Sequence, residues 1–398
     1  MKSSLKLTLM LSVACNTALA QGIAAGPFRV YPELGLTLKH NSNILMAPKE
    51  EKSSAITVLT PQVRLEHKQR ANTYALSLGT EIGRYTSSSS DNYEDVKISG
   101  KADWQFARRI GFGLSADYLR GHDPRGSTDR GDSTEPGVWD TKGVRGMFSY
   151  GRHQARSRVE AELGHVAKRY KDNSSVVDGN GNLLALDGSA DDKNDTDLTA
   201  RFIYRVLPKT RLFLEATETV TDYQLDISTQ DNDRFDFSMG ATWSATAKTT
   251  GKAKLGYSRK TFDSDVREDF SGLSWQVGVQ WKPLARSTVD ITTGRYTNDS
   301  TGIGDYLLTR DFSITGTHIW MPRLSTSVGF YLGQTDFKGD TRTEARSDDS
   351  QNYNLAVNYD LRKEVSLSAG MNFGKRDSNY DSDDYDQRVF FLTVRAGF

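Results

Sequence analysis

The chain closes on "RVFFLTVRAGF", residues 388–398, and stops on an aromatic side chain. Phe390, Leu392, Val394, Ala396 and Phe398 share one parity, whereas Thr393 and Arg395 stand on the other. A period of two with one oily and one polar face marks a β-strand lying between two unlike media.

The same alternation recurs down the chain. Phe28, Val30, Leu34, Leu36 and Leu38 alternate with Arg29, Tyr31, Glu33, Gly35 and Thr37. Val96, Ile98, Ala102, Trp104 and Phe106 alternate with Lys97, Ser99, Lys101, Asp103 and Gln105. Over 235–243 and 273–281 the oily positions include Phe235, Phe237, Met239, Trp243, Leu273, Trp275, Val277 and Trp281.

The front end bears on compartment. Lys2 and Lys6 precede an apolar run from Leu7 to Ala14, and Ala18-Leu19-Ala20 closes it, which reads as a secretory signal peptide over 1–20 with a mature chain of 21–398. Cys15 is the single cysteine. Ser12 stands three residues before it, where lipid attachment calls for leucine, so an anchored lipoprotein is not expected. Without that cysteine the mature chain has no disulfide to hold it in an oxidising compartment.

Fifty-one basic residues balance 51 acidic ones, which gives no reason to expect nucleic acid as a partner. Mean hydropathy is negative, and no apolar run after the signal approaches the ~18 residues of a membrane helix. A barrel escapes that argument, because only alternate residues of its strands face lipid.

Connection lengths carry the argument further. Short links fall near 67–72, 107–109, 151–155, 207–210, 245–251, 283–286, 321–324 and 362–364. Longer polar ones fall near 40–53, 86–94, 122–138, 170–194, 223–233, 264–269, 299–306, 338–350 and 377–385. Together they predict eighteen strands of about 9–13 residues, the length that spans a bilayer when tilted. The expected fold is all-β: one closed antiparallel transmembrane barrel with short periplasmic turns and longer external loops. Aromatics such as Trp104, Phe106, Phe148, Tyr150, Trp243, Trp281 and Trp320 gather beside the short turns, as an interfacial girdle would.

Charge is sorted along the axis. The short turns are basic, as at Arg108, Arg109, Lys209 and Arg211, while the long connections are acidic, as at Asp195, Asp197, Asp233, Asp377 and Asp386. Inward-parity positions carry both signs. Lys97, Lys101, Arg201, Arg205, Lys254, Lys260 and Arg395 stand against Glu33, Asp103, Asp117, Glu160, Glu162, Glu215, Asp290 and Asp360. Such an interior is polar and watered, or closed by salt bridges.

Chemistry is otherwise sparse. The six histidines show no zinc spacing, and neither a nucleophile elbow nor a phosphate loop is present, so no enzyme and no cofactor are expected. Asp178, Asn180 and Asn182, and again Asp377, Asn379 and Asp381, begin like calcium loops. Both lack the glycine and glutamate that complete one.

Two resemblances add to this reading. A C-terminal strand with alternate apolar residues and a terminal Phe resembles the signal recognised by the outer-membrane barrel assembly machinery. That resemblance makes Phe390, Leu392, Val394 and Phe398 candidate contacts of the machinery. The stretch "FRVYPELGLTLKHNSNIL" at 28–45, with its Asn41-Ser42-Asn43-Ile44, resembles the outer-membrane porins associated with exopolysaccharide and capsule operons, the EpsL-like group.

The second resemblance implies a part in polysaccharide export, with periplasmic export proteins as partners and polysaccharide as cargo. A general or solute-selective porin passing small solutes is the alternative reading, and a structural or adhesive protein the next. In each case the chain would sit in outer-membrane lipid beside lipopolysaccharide.

Overall fold

The computed structural model describes residues 22–127, 134–152, 154–171, 188–244, 246 and 248–398. The expected signal peptide and the first calcium-like stretch lie outside them. A short strand β1 (Ile23–Ala25) precedes eighteen long ones. These begin with β2 (Phe28–Asn41), β3 (Ser54–Gln69), β4 (Asn72–Tyr85), β5 (Tyr93–Ala107), β6 (Ile110–Asp123) and β7 (Gly137–Tyr150). The ring continues through β8 (Ser157–Tyr170), β9 (Lys193–Leu207), β10 (Thr210–Tyr223), β11 (Asn232–Trp243), β12 (Thr249–Phe262) and β13 (Phe270–Trp281). It ends with β14 (Ser287–Asp299), β15 (Tyr306–Met321), β16 (Leu324–Lys338), β17 (Ser347–Asp360), β18 (Val365–Ser378) and β19 (Tyr385–Gly397).

Each long strand pairs antiparallel with the next, and β19 pairs with β2, so the sheet closes into an eighteen-stranded barrel. Closure leaves no unpaired edge, which is what a bilayer demands of a sheet. The C-terminal stretch is the last side of the seam: Leu392 faces Leu38, Val394 faces Leu36 and Ala396 faces Leu34. Below Gly397 the edge of β2 is taken over by β1, through the pairs Ile23 with Val30 and Ala25 with Phe28. Pro32 sits in the gap between the two partners, where its missing N–H removes no bond, and its carbonyl accepts the Phe398 N–H at 3.1 Å.

Burial is inverted relative to a water-soluble protein. Leu36, Leu163, Met239 and Leu355 are exposed on the outside, while Glu215 and Lys260 are buried at 7% and 2% exposure. Phe390, Leu392, Val394 and Phe398 all belong to this exposed outer surface.

Near the short turns the outer face carries aromatic contacts that run from strand to strand. Phe28 meets His67, His67 stacks on Tyr74, Tyr74 meets Trp104 edge-on, and Trp104 stacks on Phe112, with centroids 5.3–6.2 Å apart.

The strands run 12–16 residues, longer than the 9–13 expected. Their extra length lies at the long-loop end, where both faces are polar and the period of two loses its hydrophobic mark. Asp195, Asp197, Asp233, Asp377 and Asp386, read as loop acids, therefore stand on strands. In the second calcium-like stretch, Asp377 pairs with Lys375 of its own strand at 2.7 Å, and Asn379 accepts the Ser347 N–H, which fastens the loop to β17.

A cation on the outer face should be far costlier than one inside. Leu36→Arg is expected to lower folding free energy into lipid vesicles by about 2–4 kcal/mol. Thr315→Arg, at inward parity beside Asp290, should change it by less than about 1 kcal/mol. Urea titration in vesicles checks both.

Candidate functional site

Strands β7–β12 present a charged inner wall. Arg145 on β7 donates from Nη1 to Glu162 at 2.5 Å and to Asp197 at 2.8 Å, and from Nη2 to Asp197 at 2.9 Å. One step along, Arg201 on β9 donates from Nε to Glu215 at 2.7 Å and from Nη1 to Glu160 at 3.0 Å. Lys254 on β12 reaches the other oxygen of Glu215 at 3.3 Å. Alternation puts these side chains on one face, and the register sets Arg201 directly opposite both Glu160 and Glu215. The result is a lattice of fixed charges at mid-height, each held by neighbours on other strands.

The wall across the ring is different. In an eighteen-stranded ring β16–β19 lie opposite β7–β10. Their inward positions are largely hydroxyl and amide: Ser325, Ser327, Thr335, Asn352, Asn354, Asn358, Ser366, Ser368 and Asn372. Ser368 donates to Asn358 at 2.7 Å, and Thr37 and Thr393 are bonded at 2.9 Å across the seam. The cross-section therefore has a side dominated by paired charges and a side dominated by hydroxyl and amide groups, in which Arg395 of β19 is paired with Glu33 of β2 at 2.8 Å.

The mouth at the long-loop end is narrowed. Asp299 on β14 accepts from Lys260 of β12 at 2.5 Å and is also paired with Lys193 of β9. Adjacent strands are ~4.8 Å apart, so β9 and β14 are separated by at least ~24 Å along the wall, beyond the reach of two side chains. The wall must fold inward for this contact to form. Phe262, Phe270, Tyr306 and Leu308 pack as a buried apolar cluster beneath it. A second cluster of Ile44, Ile56 and Val58 fills the mouth near β2 and β3.

The Asn41-Ser42-Asn43-Ile44 segment builds that second cluster and locks the seam. Asn43 is fully buried; its side chain donates to the Ala47 and Asp386 carbonyls at 2.8 and 3.0 Å and accepts the Ala47 N–H at 3.1 Å. Ser42 accepts the Arg388 N–H at its hydroxyl, 3.0 Å away, and donates its own N–H to the Arg388 carbonyl at 2.9 Å. The motif is an architectural fastener between the first and last strands of the ring.

With this geometry in hand, the comparisons with known proteins are informative. The family described as "Putative beta-barrel porin 2" matches residues 18–398. The chain belongs to this family.

Three solved porin structures share the fold with this family member. Pseudomonas aeruginosa OccK5 (OpdH) is 11% identical with a TM-score of 0.50, and 93% of this chain covers 98% of that one. Pseudomonas aeruginosa OpdK, solved with vanillate, is 12% identical at 0.51, with 93% and 99% covered. Acinetobacter baumannii OccAB4 is 11% identical at 0.51, with 93% and 98% covered. No curated protein matches the chain in sequence. By family and fold the protein is an outer-membrane β-barrel porin.

The inward candidates divide by location in this porin. Arg201, Glu215 and Lys254 meet in the mid-height lattice, and Lys260 closes the mouth. Lys101 and Asp103 form a separate pair at 3.1 Å on β5, and Thr73 donates to Asp103 at 3.2 Å. Lys97 stands on the same strand, opposite Gly79 and Leu119. Arg205 lies toward the short turns, opposite Arg211. Asp197, Asp299 and Lys193 were not singled out as a lining group, because they fall where the long connections were drawn. Among the described residues no three His, Cys, Asp or Glu side chains gather as a metal site.

Arginines cross-tie several of the described loops, so the acids they hold are not freely solvated. Arg125 donates to Asp91 at 2.8 Å, Arg267 to Asp305 at 3.1 Å, and Arg346 to Asp348 at 2.8 Å. Asp340 accepts from Arg342 Nε at 2.9 Å and from the Arg342 and Arg346 backbone N–H groups at 3.0 Å each. The Arg342 guanidinium, helped by those N–H groups, holds the Asp340 carboxyl down to about 2.

Two expectations follow. Glu215→Gln removes one charge from the lattice and leaves Arg201 and Lys254 undercompensated, so the reversal potential in a KCl gradient should move toward chloride selectivity. The loop contribution of Asp340 should be complete above its unfolded value of about 4 and lost as pH falls through about 2. Asp340→Ala should lower, at pH 7, the deuterium-exchange protection factors of the Arg342 and Arg346 amides to the level that the unaltered chain reaches only near pH 2.

Proposed function

We propose that the protein is a diffusion channel for small polar organic solutes, with its selectivity set inside the barrel. The observation that carries this reading is the cross-section: a lattice of paired charges on β7–β12 faces a wall of Ser, Thr and Asn side chains on β16–β19. A solute bearing a charged group and hydroxyls would find partners on both sides, while water keeps the desolvation cost of each step low. The mouth narrowed by Asp299, Lys193 and Lys260 favours small molecules over a polymer. Polysaccharide export draws its support from the Pro32–Ile44 stretch and from the axial sorting of charge; the Asn41–Ile44 segment of that stretch serves to close the ring, and the charge sorting suits small ions and solutes equally.

The assay is swelling of proteoliposomes together with planar-bilayer conductance. Glycine, serine, a pentose, a hexose and vanillate serve as small probes, and dextran of several kilodaltons as the polymer. Stepwise conductance with uptake that falls steeply with solute size is the expected result. Absence of conductance, or permeation by dextran as readily as by hexose, would sink the reading.

A further inference from the structure

The outer rim at the long-loop end carries cations of its own. Some have a carboxylate beside them on the same surface: Arg84 is paired with Glu94, and Lys375 with Asp377 at 2.7 Å. Strands β6–β8 differ. Arg120, Asp140 and Arg169 form one outward row across the three strands, since Arg120 faces Asp140 and Asp140 faces Arg169. Lys142 is exposed one outward step nearer the middle of the barrel, on the central strand. Lys171 follows the end of β8, its N–H bonded to the Val138 carbonyl at 2.8 Å. Among the described residues of these strands and their ends, four cations thus surround Asp140. Asp140 is already shared, accepting from Arg120 at 2.9 Å and lying 3.2 Å from Lys171 Nζ.

The row spans roughly 10 Å across the strands and the cluster about 14 Å along them, from strand spacing and rise. Arg120 and Lys171 keep 44% and 50% of their side-chain surface free. Immediately toward the middle of the barrel the same outward face turns apolar: Ile98, Val144, Leu163 and Leu198 are all exposed. Phosphate oxygens suit the first surface and acyl chains the second. An anion from solution would use only the basic row and would have no reason to stand over an oily one.

We propose that this outward face of β6–β8 is a binding site for a phosphorylated lipid of the surrounding leaflet. Its phosphate is held by Arg120, Lys142 and Lys171, and its chains lie along Ile98, Val144 and Leu163. Arg169 is a positioning residue. It donates to the Lys168 and Lys193 carbonyls at 2.7 and 2.8 Å and to Asn194 at 2.7 Å, which ties β8 to β9 behind the site. The site lies outside the channel and does not depend on what the channel passes.

The test uses the full chain in detergent, titrated with short-chain phosphatidic acid, short-chain phosphatidylcholine, glycerol phosphate and inorganic phosphate. Binding is read by native mass spectrometry and thermal shift. Phosphatidic acid should bind and raise Tm. K142Q/K171Q should weaken it by about 30-fold, as expected for two surface lysines near a phosphate. R259Q, elsewhere on the rim, should leave it unchanged.

Gel mobility before and after heating establishes that each variant is a folded barrel, and K142Q alone serves if the double variant is not. Equal binding of phosphatidylcholine, equal stabilisation by inorganic phosphate, or undiminished phosphatidic acid binding to the folded variants would each overturn the proposal.

Discussion

Everything in this structure depends on one requirement: no backbone N–H or C=O may face hydrocarbon without a partner. A sheet meets it only by closing, so the last strand must find the first. That dependence explains why both flanks of the seam are so heavily provided. The apolar ladder of Leu34, Leu36 and Leu38 against Ala396, Val394 and Leu392 fixes register in the middle. Buried Asn43 and the reciprocal Ser42–Arg388 bonds fix the loop end. At the other end β1 covers the stretch of β2 that β19 is too short to reach, and Pro32 stands at the changeover. A one-residue slip would turn every leucine inward and every charge into lipid, so register and closure are the same constraint seen twice.

The same requirement sets what the sequence makes legible. Where lipid bathes one face and water the other, the two media write the period of two directly into the chain, and strands such as 96–106 and 273–281 can be read to within a few residues. Beyond the lipid belt both faces meet water, and Asp195, Asp197 and Asp299 look like loop although they stand on strands. Strand β1 was also missed, because three residues cannot show a period; Gly26-Pro27, a turn signal before Phe28, was the cue available. The inner wall was legible as a list of charges but not as a lattice. Which carboxylate meets Arg201 is decided by register between strands tens of residues apart.

The Asn41-Ser42-Asn43-Ile44 segment shows how a local resemblance can be true of a family and silent on cargo. Each of its polar groups is engaged with the backbone of β19, of its own loop or of the adjoining residues, and Ile44 is packed beneath that loop. Such a segment would persist in any barrel that closes its ring this way, whatever passes through the lumen. Function has to be argued from surfaces that remain free to meet another molecule, and here these are the inner walls and the outer rim.

The interior charges also differ in what they can do. At mid-height Glu215, 7% exposed, is held by Arg201 and Lys254, which keep 28% and 31% of their side-chain surface exposed, so it is the cations of the lattice that still meet water. At the mouth Asp299 joins Lys193 and Lys260 over an apolar cluster; Lys260 is 2% exposed, so stripping away its carboxylate would leave a buried charge without compensation, a loss of several kcal/mol. That carboxylate therefore acts as a strut: it ties β9, β12 and β14 into an inward fold of the wall that the backbone ladder alone would not form. In the channel proposed above, a constriction braced by ion pairs would select by size, and the charged lattice below it by charge and hydrogen bonding. Placing the two in series, with the less forgiving one first, lets the lower wall remain loosely bound to its solute, and loose binding is what passage through a channel requires.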